Sequence, residues 1–193
     1  MAEGVKGIDY KNPSRQELCL EVRARAELFS RLFEWYLPVI QQTKMAGCPE
    51  WGILHEQLGY SLELGFKSLL YCQQGEWCRG HGLRRQFERL DASVRRSIDD
   101  TWKRQVDGKP LGRLSFARSE QRPKMPESSR WPDDKQFGHV LGWMDESVLT
   151  HTKKYEYVDR PNHWRFYLDV YMLAAMTHVL KTLVDHLVKE SLP

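Results

Sequence analysis

Glu63, Lys67 and His81 are the residues whose types and spacing most suggest chemistry. Glu63 and Lys67 are four residues apart, so on a helix they share one face with the acid first, the favourable order for an ion pair. Because Gly75 predicts a turn between Lys67 and His81, the chain is expected to fold back and bring all three side chains close together. An ordinary surface ion pair, stabilising by about 0.3 kcal/mol, is the alternative interpretation.

Arg160 and His163 are a second pair with chemical potential. Metal-independent cleavage of RNA needs a base that takes the 2′-hydroxyl proton and a cation that stabilises the phosphorane charge. A histidine and an arginine can fill these roles, and three residues apart on the predicted last helix they would share a face. Both are therefore candidate catalytic residues. A helix cap or a surface cluster is the alternative.

Basic residues are concentrated between residues 79 and 130. This segment holds fourteen lysines and arginines against seven aspartates and glutamates, a net charge of +7, whereas the whole chain carries +3. Such a segment predicts binding to phosphate or to single-stranded nucleic acid. The candidate binding residues are Arg84, Arg85, Arg95 and Arg96, with Trp102 and Trp131 near them in sequence for base stacking. A solvated helix face followed by a flexible loop explains the same charges.

The cysteines do not indicate a disulfide framework or a metal site. The chain has four, Cys19, Cys48, Cys72 and Cys78, without a paired C-x-x-C motif. Cys72, Cys78 and His81 could begin a zinc site, but a structural zinc needs a fourth ligand, and neither Cys48 nor His55 is placed to supply one. We expect reduced thiols, no metal and no cofactor.

Apolar residues at helical spacing predict four long helices and no convincing strand, so the expected fold class is all-α. The first helix starts at a Ser14–Glu17 capping box and is expected to kink or end at Pro38. The second runs from about Pro49 to a stop at Gly75, the third from about 82 to 107, and the last from about 162 to 187. Their apolar stripes predict an antiparallel bundle that buries Leu69, Leu70, Leu180 and Leu183.

The chain is expected to form one domain over residues 14–193, after an N-terminal arm at 1–13. Residues 108–135 are rich in proline, serine and basic side chains and predict an irregular insertion before the last helices. A short helix at about 136–149 is expected to follow. Because no apolar run approaches the roughly 20 residues that span a bilayer and the start has no signal peptide pattern, we expect a cytoplasmic protein without membrane association.

The motifs around the glycine turn resemble those of the HEPN family, in which a helix ends in E-x-x-x-K-A/S-L-L and the next opens with H-D-L or H-G-L. The matching residues are Glu63, Lys67, Ser68, Leu69, Leu70, Gly75, His81, Gly82 and Leu83. The resemblance covers about residues 15–107 and 150–190. It implies that Glu63, Lys67 and His81 lie together as a binding site. It also implies a helical bundle that is often dimeric, acting either as a ribonuclease of toxin–antitoxin and phage-defence systems or as a non-catalytic nucleotide- or RNA-binding module.

The family's ribonuclease motif has four to six residues between its arginine and histidine, whereas two separate Arg160 from His163. The favoured interpretation is therefore a non-catalytic HEPN-like module that binds nucleotide or RNA, with a role in a toxin–antitoxin or defence system. A divergent metal-independent endoribonuclease is the first alternative. The second is a helical module that binds a partner protein and no nucleic acid.

A homodimer is also expected, as the resemblance implies. The residue-level reason is that four side chains widen the apolar surface of the predicted last helix beyond one stripe: Trp164, Tyr167, Tyr171 and Met172. Two copies would then meet through that helix, bringing two copies of Arg160 and His163 towards one cleft.

Overall fold

Helices make up most of the chain that the computed structural model describes, which is residues 13–43, 49–109, 113–117, 136–146 and 164–191. The elements in chain order are α1 (Arg15–Thr43), α2 (Pro49–Gln74), α3 (Leu83–Arg89), α4 (Ala92–Val106), β1 (Arg113–Ala117), α5 (Phe137–Glu146), β2 (Trp164–Leu168) and α6 (Val170–Ser191). The predicted helical class is confirmed, and a two-stranded sheet accompanies the helices.

The first helix begins where the capping box predicts. The backbone N–H of Ser14 donates to Glu17 Oε2 at 2.9 Å, and the N–H of Glu17 donates to Ser14 Oγ at 3.1 Å. The helix then continues through Pro38 to Thr43, so the expectation that it could end at the proline is wrong. Proline removes one backbone donor, but Phe33 and Ile40 on either side of it are buried and hold the helix against the core.

The second helix ends at Gln74, as the sequence predicts. Gly75 takes a φ of +72°, a conformation that L side chains rarely adopt. Its N–H donates to the carbonyl of Tyr71 at 2.8 Å and closes the last turn. The chain leaves α2 at this glycine and turns towards α3.

The predicted third helix is two helices, α3 and α4, separated by extended backbone at Leu90 and Asp91. Leu90 and Val94 are both buried, so the break lets α3 and α4 each turn an apolar face to the core. The N–H of Arg95 donates to the carbonyl of Asp91 at 2.9 Å and starts α4. Tertiary packing here overrides a helical pattern that looks continuous in sequence.

The last helix starts at Val170, eight residues later than predicted, because Trp164–Leu168 is a strand. This β2 pairs antiparallel with β1, in a register that sets Arg113 against Leu168. The β1 strand lies inside the expected irregular insertion, whose residues 118–135 fall outside the described ranges, as do residues 1–12 of the predicted arm. The Asp169 carboxylate accepts the N–H of Met172 at 2.8 Å and caps α6.

The late start of α6 overturns the reason for expecting dimerisation through it. Trp164 and Tyr167 belong to β2, and Met172 is fully buried in the core. Tyr171 alone of the four residues is exposed on α6. One exposed aromatic side chain is ordinary for a helix surface and does not define an interface.

The core is one cluster of buried apolar side chains with members from all six helices. Leu69, Leu70, Leu180 and Leu183 are each 0% exposed, which confirms their predicted burial. Helix α1 packs on α2 and α6, α2 also packs on α6, α4 packs on α6, and α3 packs on α5. Within the described ranges, no helix combines the length and the apolarity needed to cross a bilayer.

Candidate functional site at the α2–α3 corner

Glu63, Lys67 and His81 meet where the chain turns from α2 into α3. Glu63 Oε1 accepts a hydrogen bond from Lys67 Nζ at 2.7 Å and lies 2.8 Å from His81 Nδ1. The Glu63 and Lys67 side chains are only 12% and 11% exposed, whereas His81 is 40% exposed. The nearly buried carboxylate of Glu63 therefore contacts both Lys67 and His81, and of the three side chains His81 is the most exposed to solvent.

The return of the chain from Gly75 to His81 depends on contacts made by α3. Gln86 is buried and its side-chain amide donates to the carbonyl of Gly80 at 3.0 Å. Gly80 takes a φ of +94°, so only glycine fits there without strain. Because Gln86 holds the residue directly before His81, the histidine approaches Glu63 from a fixed piece of backbone.

Arg89, the last residue of α3, ties the same segment from its other side. Its guanidinium donates to Gln74 Oε1 at 2.8 Å and to Cys78 Sγ at 3.0 Å. Arg89 thus spans the start and the middle of the turn. This arginine stabilises the turn rather than presenting its charge to a ligand.

Asp145, on α5, completes the corner and was not among the residues predicted from sequence. Its carboxylate accepts the backbone N–H of Leu83 at 2.7 Å and that of Arg84 at 3.0 Å. The residue at the N-cap position of α3 is Gly82, which has no side chain to cap the helix. A carboxylate 62 residues away in sequence therefore supplies the cap, and nothing local to either segment reveals it.

The Glu63–His81 contact fixes which imidazole nitrogen carries a proton. An ionised carboxylate only accepts hydrogen bonds, so His81 Nδ1 is the donor. In the neutral ring the lone pair is then on Nε2. The arrangement can orient a histidine as a base or hydrogen-bond partner, and Lys67 balances the charge of the carboxylate that orients it.

A cleft of about 280 Å³ lies beside the corner, between α3, α4 and α5. Its lining contains two cations, two carboxylates, an imidazole, an amide and an aromatic ring, contributed by Arg84, Phe87, Glu88, Asp99, Lys103, Gln136, Gly138 and His139. Arg84 from α3 and Lys103 from α4 converge on this one opening. The cleft therefore combines two positively charged and two acidic side chains with neutral groups able to donate and accept hydrogen bonds.

The position of Arg84 is set by its neighbours. Its Nε donates to Glu88 Oε1 at 2.8 Å. The side chain also lies close against the α5 backbone, because a Cβ added at Gly142 would come within 3.1 Å of Arg84 Cδ. A glycine at position 142 thus leaves the space that Arg84 occupies.

Asp99 and His139 give the cleft two unusual polar groups. The pKa of the Asp99 carboxyl is raised above its ordinary value because burial penalises the charged form, although Lys103 and the backbone N–H of Phe137 act in the opposite direction. The Nδ1 atom of His139 is buried and has no hydrogen-bond partner in the described part of the chain. A buried polar atom without a partner is uncommon in proteins, so His139 Nδ1 is a group that a ligand or a water molecule could satisfy.

The four predicted arginines do not all lie in one place. Arg84, Arg85 and Arg96 are exposed, and Arg95 is half-buried with a buried Nε atom. Of the four, Arg84 lines the cleft together with Lys103, which the sequence prediction did not single out. Arg160 and His163, the predicted catalytic pair, fall outside the described residues, and α6, on which they were expected to share a face, begins at Val170.

No three His, Cys, Asp or Glu side chains within the described ranges are grouped so that they could hold a metal ion. Cys78 and His81 are engaged with Arg89 and Glu63 instead. No family model, no curated protein and no solved structure matches this chain. The HEPN resemblance accordingly stays a prediction that rests on the motif residues themselves.

Proposed function

We propose that this protein is a HEPN-like module that binds nucleotide or single-stranded RNA without cleaving it, with phosphate held at the cleft between α3, α4 and α5. The observation that carries the proposal is the convergence of Arg84 and Lys103 on one opening. A phosphate would pair with the guanidinium and ammonium groups by charge-assisted hydrogen bonds and would replace Glu88 as the partner of Arg84, where the two now pair at 2.8 Å. Arg85 on α3 and Arg96 on α4 are also exposed and are the candidates for contacts with further phosphates.

The remaining lining of the cleft supports a ligand with hydrogen-bonding edges as well as charge. Asp99 can accept from an exocyclic amino group, Gln136 offers both a donor and an acceptor, and the buried Nδ1 of His139 lacks a partner among the described residues. A nucleotide presents both kinds of group, whereas inorganic phosphate presents one. A cleft of about 280 Å³ has room for part of a nucleotide and leaves the rest in solvent.

The wider proposal includes a four-helix antiparallel bundle, a cytoplasmic location and a role in a toxin–antitoxin or defence system. For the bundle, the support is Arg15 at the start of α1, which donates to the carbonyl of Cys72 at 3.1 Å and to that of Glu190 at 3.2 Å. These carbonyls lie near the ends of α2 and α6, so α1 runs opposite to both. The location and the biological role rest on the sequence alone.

Charge reversal at the cleft tests the binding proposal. Arg84→Glu should weaken single-stranded RNA binding about tenfold, since it removes a charge-assisted contact and adds repulsion. Arg25→Glu is the matched control, because Arg25 also pairs with a glutamate on its own helix, Glu21, at 3.0 Å. Fluorescence anisotropy with a labelled oligonucleotide measures both. Equal loss in the two variants, or no loss in Arg84→Glu, would contradict the proposal.

A metal-independent ribonuclease is the second candidate, and the oriented His81 is the observation that favours it. A histidine held by a carboxylate at 2.8 Å is suited to general-base catalysis, as the predicted pair Arg160 and His163 would also be. RNA cleavage that persists in a chelator and is lost in His81→Ala or His163→Ala would establish this activity. Intact RNA after prolonged incubation with the wild-type protein would leave the non-catalytic module.

A further inference from the structure

Helix α1 has an apolar face on each side. One side carries Leu18, Val22, Phe29 and Phe33, which are buried in the core. The other side carries Leu20, Ala24, Leu28 and Trp35, which we call the outer stripe. At 3.6 residues per turn these four residues fall within an arc of about 80°, and the arc lies roughly opposite the core-facing side.

The outer stripe is exposed to a degree that its residue types do not favour. Trp35 is 79% exposed, Leu20 is 60% exposed and Leu28 is 42% exposed. Single exposed apolar residues are ordinary, but an aligned set on one helix face is characteristic of an interaction surface. Helix α6 has no such alignment, since its exposed residues Tyr171 and Val188 point about 100° apart.

The charges along one edge of the outer stripe indicate what covers it. Arg23, Glu27 and Glu34 follow this edge and Arg31 lies just inside it. Their signs alternate along the helix, and all four are exposed. Along the chain the charges run positive, negative, positive, negative. In an antiparallel second copy the order is the opposite, so each positive side chain of one copy meets a negative side chain of the other. Arg23 of one copy would then face Glu34 of a second copy, and Glu27 would face Arg31.

A parallel two-fold pair of the same helices would instead set this edge against the opposite edge of the outer stripe, so its alternating charges would not meet one another. The existing pairs within α1 do not prevent exchange, because Arg23–Glu27 at 3.0 Å and Arg31–Glu27 at 4.0 Å are exposed. Exposed ion pairs of this kind stabilise a helix only weakly. The same side chains can therefore turn to a second copy at little cost.

We propose that the outer stripe is a homodimer interface in which two copies pack α1 against α1 in antiparallel orientation about a two-fold axis. The axis passes near Leu28, and Trp35 of each copy falls between Leu20 and Ala24 of the other. Such an interface is isologous, which means that both copies use the same surface. The interface buries Trp35 of each copy and pairs the alternating charges of one copy with those of the other.

Self-association measured by analytical ultracentrifugation tests the interface. Leu28→Glu should weaken dimerisation at least tenfold, because two buried carboxylates would meet at the axis. Val188→Glu is the matched control on α6, where the wild-type residue has a similar exposure of 39%, and it should dimerise like the wild type. A wild type that is monomeric at tens of micromolar, or a Val188→Glu variant that dissociates as strongly as Leu28→Glu, would overturn the proposal.

The orientation is tested by exchanging charges on the edge. Glu27→Arg alone and Arg31→Glu alone should each self-associate about tenfold more weakly, since each sets like charges opposite one another twice. An equimolar mixture of the two variants should form heterodimers as tightly as the wild type, because every opposed pair regains opposite signs. A mixture that associates no better than its components would rule out the antiparallel arrangement.

Discussion

The layer formed by α1, α2 and α6 and the corner formed by residues 75–82, α3 and α5 are held together in different ways. In the layer, contact is mostly between fully buried apolar side chains such as Phe29, Leu62 and Leu183. The corner also has an aromatic contact, between Phe87 and Phe137 at 5.4 Å. Its geometry, however, depends on side chains that hydrogen-bond to distant backbone or to one shared carboxylate.

In the layer the sequence specifies which side chains are buried, whereas in the corner it also specifies where individual side chains lie. Apolar contacts tolerate substitutions of similar volume, whereas a hydrogen-bond network has one arrangement in which all partners are satisfied. Glu63, Gln86 and Asp145 each hydrogen-bond to a residue outside the helix on which they lie. These hydrogen bonds closely define the geometry of the corner, and Arg84, which lines the cleft, lies on α3 of this corner.

The largest effect is expected in the apolar layer. Leu183→Ala should lower the free energy of unfolding by about 2–5 kcal/mol, because the side chain is fully buried and packs against Gly65 of α2. Ile53→Ala removes the same number of atoms from a position on α2 that is 39% exposed, and it should cost about 1 kcal/mol or less. Urea unfolding followed by circular dichroism compares the two. Similar losses would mean that the layer is not the main source of stability.

In the corner, Glu63→Gln should cost about 2 kcal/mol of unfolding free energy. The substitution keeps the shape but leaves the nearly buried Lys67 without a counter-charge. Asp185→Asn is the control, because the Lys181–Asp185 pair at 3.2 Å has the same spacing and is largely exposed, so its loss should fall below about 1 kcal/mol. If both variants lose the same amount, the corner has no special dependence on its shared carboxylate.

A smaller effect is expected from the cap that α5 supplies to α3. Asp145→Ala should cost about 1 kcal/mol, the usual loss for a helix N-cap. Asp91→Ala offers a direct comparison, because Asp91 occupies the N-cap position of α4 without a side-chain capping bond. Chemical unfolding should show a clearly smaller loss for Asp91→Ala. The reverse order would show that the hydrogen bonds from Leu83 and Arg84 contribute little to stability.

The smallest effect concerns pH and lies in the layer. The pKa of His186 is lowered from its ordinary value because burial penalises the imidazolium and Lys189 repels it. The unfolded chain therefore binds a proton more readily than the folded chain, so stability falls as the pH drops from about 6.5 through the lowered pKa. His186→Gln should unfold at a higher temperature than the wild type at pH 5 and at a similar temperature at pH 8. Parallel pH profiles would contradict this.

The sequence predicted the parts of the fold that depend on local signals. The Ser14–Glu17 capping box and the glycine at position 75 set the start of α1 and the end of α2. The strand pairing of 113–117 with 164–168 could not be predicted in this way, because it joins segments about fifty residues apart. Asp169 was a usable signal for the start of α6, since an aspartate before an apolar run is a common N-cap.

The candidate site was predicted in part for the same reason. Glu63, Lys67 and His81 flank one turn, so a fold-back at Gly75 was enough to bring them together. Asp145 and Lys103 come from α5 and α4, and their meeting with α3 depends on tertiary packing that no local pattern records. The break at Leu90 was missed because packing rather than a glycine or proline produces it.

The central claim, that the surface of α3 and α4 binds nucleic acid phosphates, is tested most directly by the salt dependence of single-stranded RNA binding. If about four basic side chains neutralise phosphates, the slope of log affinity against log salt concentration should be near −3, from about 0.7 per contact. Reversing the charge of Arg84, Arg85, Arg95 and Arg96 together should flatten the slope and weaken binding to different sequences alike. An affinity unchanged by the four reversals, or one that does not depend on salt, would contradict the claim.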